Sequence, residues 1–371
     1  MKDKAKTEVQ KILDLAGIKI DGNNPWDIKV HNSKLYQRIL SGGSLALGES
    51  YMDGWWDVKQ LDEFFYKLLS AKLDKKVINP KIILQVAKSK LLNMQTFSRS
   101  KKVAEQHYDL GNDFYEKMLD KNMQYTCGYW KNAKTLDKAQ EYKLNLICQK
   151  LKLKKGDKVL ELGCGWGGFA KFASEKYECH VTGYNISKEQ VEFARERCKG
   201  LSVEIVHKDY RLAEGMYDKI VSVGLCEHVG YKNYKRFMQI ASKCLRDKGL
   251  FLLHTIGKDI SVVATDPWIS KYIFPNSMLP SSKQLMSASE KIFVMEDWHN
   301  IGAHYDKTLM EWHNNFEKNW DLFRERYGDR FYRMWTYYLL SCAGLFRARR
   351  AQLWQIVFSK NGVPSGYESI R

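Results

Sequence analysis

Val159-Leu-Glu-Leu-Gly-Cys-Gly-Trp-Gly-Gly168 is the segment that most strongly indicates the fold class. Its apolar start predicts a buried strand, and the glycine-rich turn leads into the helical pattern Phe169-Ala-Lys-Phe-Ala173. Glycines in such a turn let the backbone adopt positive φ and bring a ligand close to the main chain. The spacing Gly-x-Gly-x-Gly differs from the dinucleotide fingerprint and suits a ligand without pyrophosphate, such as S-adenosylmethionine. The alternative is a strand-to-helix turn with a structural role only.

The chain beyond this motif continues as alternating strands and helices. Predicted strands are Lys158–Leu162, His180–Tyr184, Val203–His207, Lys219–Val223 and Gly249–His254. Predicted helices between them are Phe169–Tyr177, Lys188–Cys198 and Tyr231–Leu245. Strands that alternate with helices at this spacing indicate βα units and a parallel sheet. We therefore predict an α/β, Rossmann-like domain over residues 105–371.

Polar residues follow several of these strands at the edge where such sheets bind ligands. Glu227 and His228 follow the fourth strand, and His254 ends the fifth. A carboxylate in such a crevice is costly unless it is paired or used, although Glu227 or His228 alone would also serve as a helix cap. Two titratable groups that meet at one edge favour a catalytic pair. Asp209 after the third strand either binds an adenine amine or forms a turn.

The second strand lacks the acid that often binds the ribose of an adenosyl cofactor. Its end reads Gly183-Tyr-Asn-Ile-Ser187. Asn185, helped by Gln190, or a backbone group is the candidate to replace that acid.

Composition limits the class of protein. The 371 residues are 44% hydrophobic, and the formal net charge is +17, which predicts an anionic partner. No apolar run reaches the roughly 20 residues of a spanning helix, and the N-terminus lacks the apolar core of a signal peptide. The 8 cysteines include no Cys-x-x-Cys pair, so a disulfide framework or a metal site is not expected. A reducing cytosol fits best.

Positive charge is concentrated before the α/β domain. Between Lys67 and Lys102 there are ten basic residues and one acid, Asp74. Residues 1–80 are predicted to form a helix-rich, lipid- or membrane-binding domain, and residues 81–104 a basic amphipathic helix and linker. Such a helix is typical of attachment to an anionic bilayer, although a solvated face opposite a packing face gives the same pattern.

Several segments closely resemble cyclopropane-fatty-acyl-phospholipid synthases. Besides the glycine motif, the resemblance is carried by these stretches: Ala104-Glu-Gln-His-Tyr-Asp-Leu-Gly-Asn-Asp-Phe114, Met123-Gln-Tyr-Thr-Cys-Gly-Tyr-Trp130, Val223-Gly-Leu-Cys-Glu-His-Val-Gly230, Leu252-Leu-His-Thr-Ile-Gly257, Asp266-Pro-Trp-Ile-Ser-Lys-Tyr-Ile-Phe-Pro-Asn276, Met295-Glu-Asp-Trp-His-Asn300 and Cys342-Ala-Gly-Leu-Phe-Arg347. It covers about 105–360 with high specificity and extends more weakly over the N-terminal region, including Gly48-Glu-Ser-Tyr-Met-Asp-Gly-Trp-Trp56.

The resemblance implies a class I S-adenosylmethionine-dependent methyltransferase domain. Such an enzyme adds a methylene group to a cis double bond of a phospholipid acyl chain, and a bound bicarbonate ion removes the proton that allows ring closure. The resemblance assigns that ion to Cys127, Glu227, His254, Tyr305 and the backbone of Ile256. It assigns the cofactor pocket to Tyr125, Thr126, Gly163, Cys164, Gly165, Trp166, Gly167, Gly168, Asn185, Ile186, Ser187, Gln190, Asp209 and Tyr210.

Cys342 has been proposed as a nucleophile in this family, but no step of that chemistry needs a thiolate, and we expect a structural role. The resemblance also implies a homodimer on the cytoplasmic face of the membrane, without a nucleic-acid partner. Three alternatives stay open: a lipid C-methyltransferase that leaves a branch instead of a ring, an RNA methyltransferase, and a non-catalytic membrane-binding protein. A complete base site would favour ring closure.

Overall fold

The computed structural model describes residues 2–73 and 110–371. Within these ranges the chain forms two units. The N-terminal unit comprises residues up to 73 together with 263–276 and 305–351, and the sheet unit comprises 110–262, 277–304 and 352–371. The predicted basic helix and linker, 81–104, lies outside the described residues.

Helices and strands are numbered here in chain order. The helices are α1 Lys2–Asp14, α2 Leu35–Met52, α3 Leu61–Ser70, α4 Asn112–Met118, α5 Leu136–Lys150, α6 Gly168–Tyr177, α7 Lys188–Arg197, α8 Cys226–Val229, α9 Tyr234–Cys244, α10 Pro267–Tyr272, α11 Ser282–Ser289, α12 Ala303–Asn319 and α13 Arg324–Arg347. The strands are β1 Lys29–Val30, β2 Trp56–Asp57, β3 Lys158–Leu162, β4 His180–Asn185, β5 Val203–His207, β6 Tyr217–Val223, β7 Leu245–Gly257, β8 Val294–Asn300 and β9 Gln352–Ser359. Among the helices of the described ranges, none is long and apolar enough to cross a bilayer.

The N-terminal unit is mainly helical and contains two segments from the second half of the chain. Trp268 of α10 occupies the space that a side chain at Gly48 of α2 would need. A side chain at Gly344 of α13 would lie 2.6 Å from the carbonyl oxygen of Asp62, so α13 packs directly on α3. Residues 105–371 were predicted as one continuous domain; the structure instead places 263–276 and 305–351 with the N-terminal helices. Sequence periodicity does not reveal which partner such helices pack against.

The sheet unit contains a seven-stranded sheet of order β5-β4-β3-β6-β7-β9-β8. Strands β3 to β7 pair in parallel, whereas β9 runs antiparallel between β7 and β8. The predicted α/β fold is confirmed, and each of the five predicted strands is present with its ends shifted by a few residues at most. Strands β8 and β9 were not predicted from the sequence.

Both faces of this sheet are covered by helices, because alternate strand residues point to opposite sides. Leu160 and Phe251 pack into the core that includes α9 and α11. Val159 and Leu252 pack into the core of the opposite face, which includes α5 and α6. Buried parallel strands of this kind leave their carboxyl ends open to ligands at one edge. Glu227 and His254 lie at that edge.

Candidate active site

The turn after β3 is shaped by three glycines in the left-handed region. Gly163, Gly165 and Gly167 have φ values of +83°, +51° and +76°. A side chain at Gly165 would meet no described atom within 4 Å, so open space lies beside this turn. The amides of Gly163 and Cys164 donate to the carbonyl oxygen of Tyr184, each at 3.0 Å, and hold the turn against β4. The backbone is therefore held in place and accessible to a ligand at Gly165.

Close packing surrounds the rest of the turn. A side chain at Gly168 would collide with the Asn122 carbonyl and the Gln124 amide. A side chain at Gly224, after β6, would lie 2.8 Å from Cγ2 of Thr126. Only glycine permits these approaches, which place the 122–126 segment against the start of α6 and the end of β6.

Asn185 holds the glycine turn from the end of β4. Its amide nitrogen donates to the Gly165 carbonyl at 3.0 Å and to Oε1 of Gln190 at 2.9 Å. Its Oδ1 accepts from the Ser187 amide at 3.1 Å, and Ser187 caps α7. Both amide hydrogens of Asn185 are thus used inside the protein, and a contact from Asn185 to ribose stays a prediction.

Asp209 lies after β5 and pairs with Arg211. Its Oδ1 accepts from the backbone amide and Nε of Arg211, at 2.9 and 2.7 Å, and its Oδ2 from Nη2 at 2.6 Å. The next residue, Tyr210, packs its ring on Phe237 with centroids 5.6 Å apart. Asp209 therefore stabilises its own turn, and any bond to adenine would share an oxygen with Arg211.

Aromatic side chains pack around the glycine turn from the α4 side. Trp166 donates its indole N–H to Oδ1 of Asn112 at 2.8 Å. The Tyr115 ring contacts both Trp166 and Tyr125, with centroids 4.9 and 5.4 Å apart. Two predicted cofactor residues, Tyr125 and Trp166, thus share one neighbour.

Glu227 is the second residue of α8, the short helix after β6, and is 7% exposed. Its Oε1 accepts from the Ile256 amide at 2.6 Å. Within the described part of the chain its Oε2 is buried without a hydrogen-bond partner. Burial raises the pKa of the carboxyl to about 7, against the lowering effect of the Ile256 amide and Thr255. The Ile256 amide, which the resemblance assigned to bicarbonate, here orients Glu227.

His254 lies on β7 directly opposite Val223 of β6 and is fully buried. Nε2 of Gln355 lies 3.3 Å from His254 Nδ1. The other ring nitrogen, Nε2, has no partner among residues 2–73 and 110–371. Burial, reinforced by Lys143 and Lys150, holds the pKa of His254 well below its usual value. The ring is therefore neutral, and Glu227 and His254 supply an acceptor and a ring nitrogen at the same strand edge.

A buried cation beside this edge was not predicted. Lys143 of α5 is 0% exposed, donates to Thr126 Oγ1 at 2.9 Å and also bonds Oε1 of Gln124. Burial lowers the pKa of Lys143 to about 8 and raises the pKa of Glu161 to about 8, and the attraction between the two groups offsets part of each change. Gln140, one turn earlier, donates to the Thr126 carbonyl at 2.7 Å. A signal was present in the sequence: Gln140 and Lys143 occupy positions in the apolar stripe of α5.

The remaining predicted residues divide between the two units. Cys127 is fully buried in the sheet unit, with Sγ 3.2 Å from the Gly128 carbonyl oxygen, and interacts electrostatically with Lys143. Tyr305 belongs to the N-terminal unit, where its ring packs on Phe346 with centroids 4.5 Å apart. Cys342 lies on α13 of the same unit, and burial raises the pKa of its thiol to about 12.

Comparisons with known proteins agree with this geometry. A profile of the mycolic acid cyclopropane synthetase family matches residues 95–356. The chain is 50% identical over 362 residues to the cyclopropane-fatty-acyl-phospholipid synthase of Escherichia coli K12, covering 97% of this chain and 94% of that protein. The cyclopropane synthase MmaA2 from Mycobacterium tuberculosis matches with a TM-score of 0.66 at 26% identity, covering 70% of this chain and 98% of that one. The mycolic acid cyclopropane synthase CmaA1, solved with SAH and CTAB, matches with a TM-score of 0.65 at 28% identity and the same coverage. The chain belongs to the mycolic acid cyclopropane synthetase family and is an enzyme of the methyltransferase class.

Proposed function

We propose that the protein transfers a methylene group from S-adenosylmethionine to a cis double bond of a phospholipid acyl chain and so forms a cyclopropane ring. The likeness to the Escherichia coli synthase over 97% of the chain supports this substrate class. The observation that carries the chemistry is the pair of buried polar atoms, Glu227 Oε2 and His254 Nε2, that lack partners among the described residues. Buried polar groups are almost always hydrogen-bonded, so such a pair points to a polar ligand.

S-adenosylmethionine supplies an electrophilic methyl group. The main chain at Gly165 is open to an adenosyl ligand, because no described atom lies within 4 Å of the position that a Cβ would take there. In this proposal the glycine turn and Tyr125–Thr126 line the cofactor pocket, with Lys143 and Gln140 holding Thr126 in place. Asp209 and Gln190 complete it near the ends of β5 and β4.

Bicarbonate would supply the base that takes the proton from the new methyl group. It carries a hydroxyl and two acceptor oxygens, and therefore needs both an acceptor and donors. Above pH 7 the Glu227 carboxylate is ionised and accepts at Oε2, while the Ile256 amide keeps it oriented. The neutral His254 ring donates from Nε2 without adding a charge. Cys127, in the same unit, joins this set by resemblance, and the assignment of Tyr305 stays a prediction.

A product assay tests the function. The protein is incubated with S-adenosylmethionine and vesicles of a cis-unsaturated phosphatidylglycerol, and the extracted lipids are examined by proton NMR. We expect olefinic signals to fall and upfield cyclopropyl signals to appear. A new methyl or exomethylene signal without the ring would select the branching C-methyltransferase. Unchanged lipids, with cofactor binding shown by calorimetry, would refute the proposed substrate.

A second assay tests the base. Turnover is measured in buffer freed of carbon dioxide and bicarbonate, and again after bicarbonate is added back. We expect a slow reaction that recovers on addition, with chloride at equal ionic strength as the control. A rate that is the same with and without bicarbonate would rule out bicarbonate as the base, and the proposed methyl transfer would be unaffected.

We further propose that residues 1–80 form a lipid- or membrane-binding domain, that the basic segment 81–104 attaches to an anionic bilayer, and that a homodimer works peripherally on the cytoplasmic face of the membrane. The basic run from Lys67 to Lys102 supports this, since each lysine near such a surface contributes about 1 kcal/mol.

Reversal of Lys81, Lys88 and Lys90 to Glu should reduce sedimentation with phosphatidylglycerol vesicles. The matched control reverses three exposed lysines of the sheet unit, Lys176, Lys199 and Lys243. Equal losses in both variants would refute a dedicated membrane segment, and light scattering tests the dimer.

A further inference from the structure

A row of polar side chains crosses three neighbouring strands of the sheet. The register places His254 of β7 opposite Gln355 of β9, and Gln355 opposite His299 of β8. Directly paired residues on neighbouring strands point to the same face of a sheet. That face is the one packed against α5, because Leu252 and Val357 belong to its core. Gln355, like His254, is fully buried.

The far end of the row is fixed by charged groups. Nζ of Lys150, the last residue of α5, lies 3.0 Å from Nδ1 of His299 and 3.6 Å from Oδ2 of Asp297. The carboxylate of Asp297 also accepts from Arg371 at 2.6 and 2.7 Å. These contacts hold β8 beside Gln355 and place a second lysine, after Lys143, near the His254 ring; burial lowers the pKa of Lys150 to about 7.

The contact between Gln355 and His254 has a defined direction. The amide nitrogen of Gln355 carries only hydrogens, so Nδ1 of His254 is the acceptor across the 3.3 Å separation. A neutral imidazole that accepts at Nδ1 carries its proton on Nε2. Burial and the two lysines keep the ring neutral. The N–H of His254 is therefore presented from the nitrogen that lacks a partner among the described residues.

We infer that Gln355 is a positioning residue that fixes the tautomer and the orientation of His254, so that the ring presents an Nε2–H donor to the anion. The role of that donor rests on the proposed function; the tautomer itself does not. A carboxylate at position 355 would instead draw the ring proton to Nδ1 and remove the donor. Among neutral side chains of this length, glutamine has the amide that can donate a hydrogen bond to Nδ1.

NMR of the whole protein with isotope-labelled histidine tests the inference, because the ring shifts distinguish the two neutral tautomers. The His254 signal is assigned by its loss in His254→Gln. We expect the wild type to show the Nε2–H tautomer, Gln355→Glu to move the proton to Nδ1, and Gln355→Leu to give a mixture. Gln352→Leu is the matched control, since Gln352 of the same strand bonds Asn300 and Trp354 and should leave the tautomer unchanged.

Kinetics give the second readout. The wrong tautomer of a catalytic histidine lowers kcat by about 10⁴-fold in a serine protease, so we expect at least about 100-fold for Gln355→Glu, with S-adenosylmethionine affinity within about twofold. A wild-type spectrum of the Nδ1–H tautomer would mean that the amide oxygen faces the ring, and would overturn the inference even if no variant folds. The expected tautomers together with full activity of His254→Gln would support the role of Gln355 and refute the donor role of His254.

Discussion

Replacement of Glu227 by Gln should stabilise the fold while it slows the reaction. The pKa of the buried carboxyl rises from 4.5 to about 7, so the folded protein holds this proton through that range while the unfolded chain has lost it. Stability consequently falls as pH rises from 4.5 to 7. Above pH 7 the full cost is about 3 kcal/mol, at 1.36 kcal/mol for each pH unit. A neutral Gln keeps the bond from the Ile256 amide and avoids that cost.

Thermal unfolding at several pH values measures this effect. With an unfolding entropy of about 2.1 cal/mol/K per residue over 371 residues, about 3 kcal/mol raises Tm by about 4 °C at pH 8. At pH 5 the difference should fall below about 1 kcal/mol, because most of the wild-type carboxyl is then protonated. The exposed Glu214→Gln is the matched control and should change Tm at neither pH.

Turnover of Glu227→Gln should fall, although its stability rises. The Gln side chain places an NH₂ group where the carboxylate offers Oε2, and one charge-assisted hydrogen bond is worth about 1.5–3 kcal/mol. We expect kcat to fall about 10- to 150-fold. Cofactor affinity, measured by calorimetry, should stay near that of the wild type because Glu227 is not among the predicted cofactor residues. A Tm difference that does not depend on pH, or a kcat within twofold of the wild type, would refute this reasoning.

Three further predictions address the cofactor pocket and the thiol. Gly165→Ala places a side chain on a backbone with φ of +51°, which costs about 1–2 kcal/mol of strain. The new methyl group also enters the open space beside the turn, so S-adenosylmethionine binding, measured by calorimetry, should weaken at least about tenfold. Lys143→Met leaves Thr126 and Gln124 without their donor and should cost about 3 kcal/mol, read as a lower Tm; an unchanged Tm would contradict the buried contact. Cys342→Ala should keep turnover within about twofold, since a thiol with a pKa of about 12 stays protonated at neutral pH; a large loss would restore a nucleophilic role.

Much of the sheet could be predicted because buried parallel strands read as continuous apolar runs. Lys158–Leu162 and Val203–His207 match the observed strands, and the glycine turn lies where its spacing placed it. Strands β8 and β9 were missed. Val294–Asn300 is a partly exposed edge strand whose charged and polar residues interrupt any apolar run, and it lies after the βα alternation from which β5, at the opposite edge, was predicted. The register that aligns Gln355 with His254 comes from the antiparallel pairing of β9 with β7, and it was not predictable because β9 itself was missed.

The fold class, the glycine turn and the position of Glu227 and His254 at strand ends could be predicted from the sequence, because they depend on local pattern and on the common edge of parallel strands. Only the tertiary structure decided which groups meet: the Ile256 amide with Glu227, Gln355 with His254, and Lys143 with Thr126. These contacts join residues distant along the chain, and burial then changes their charge state. A polar residue in the apolar stripe of a helix indicates that it has a buried partner, but which residue is that partner depends on tertiary packing.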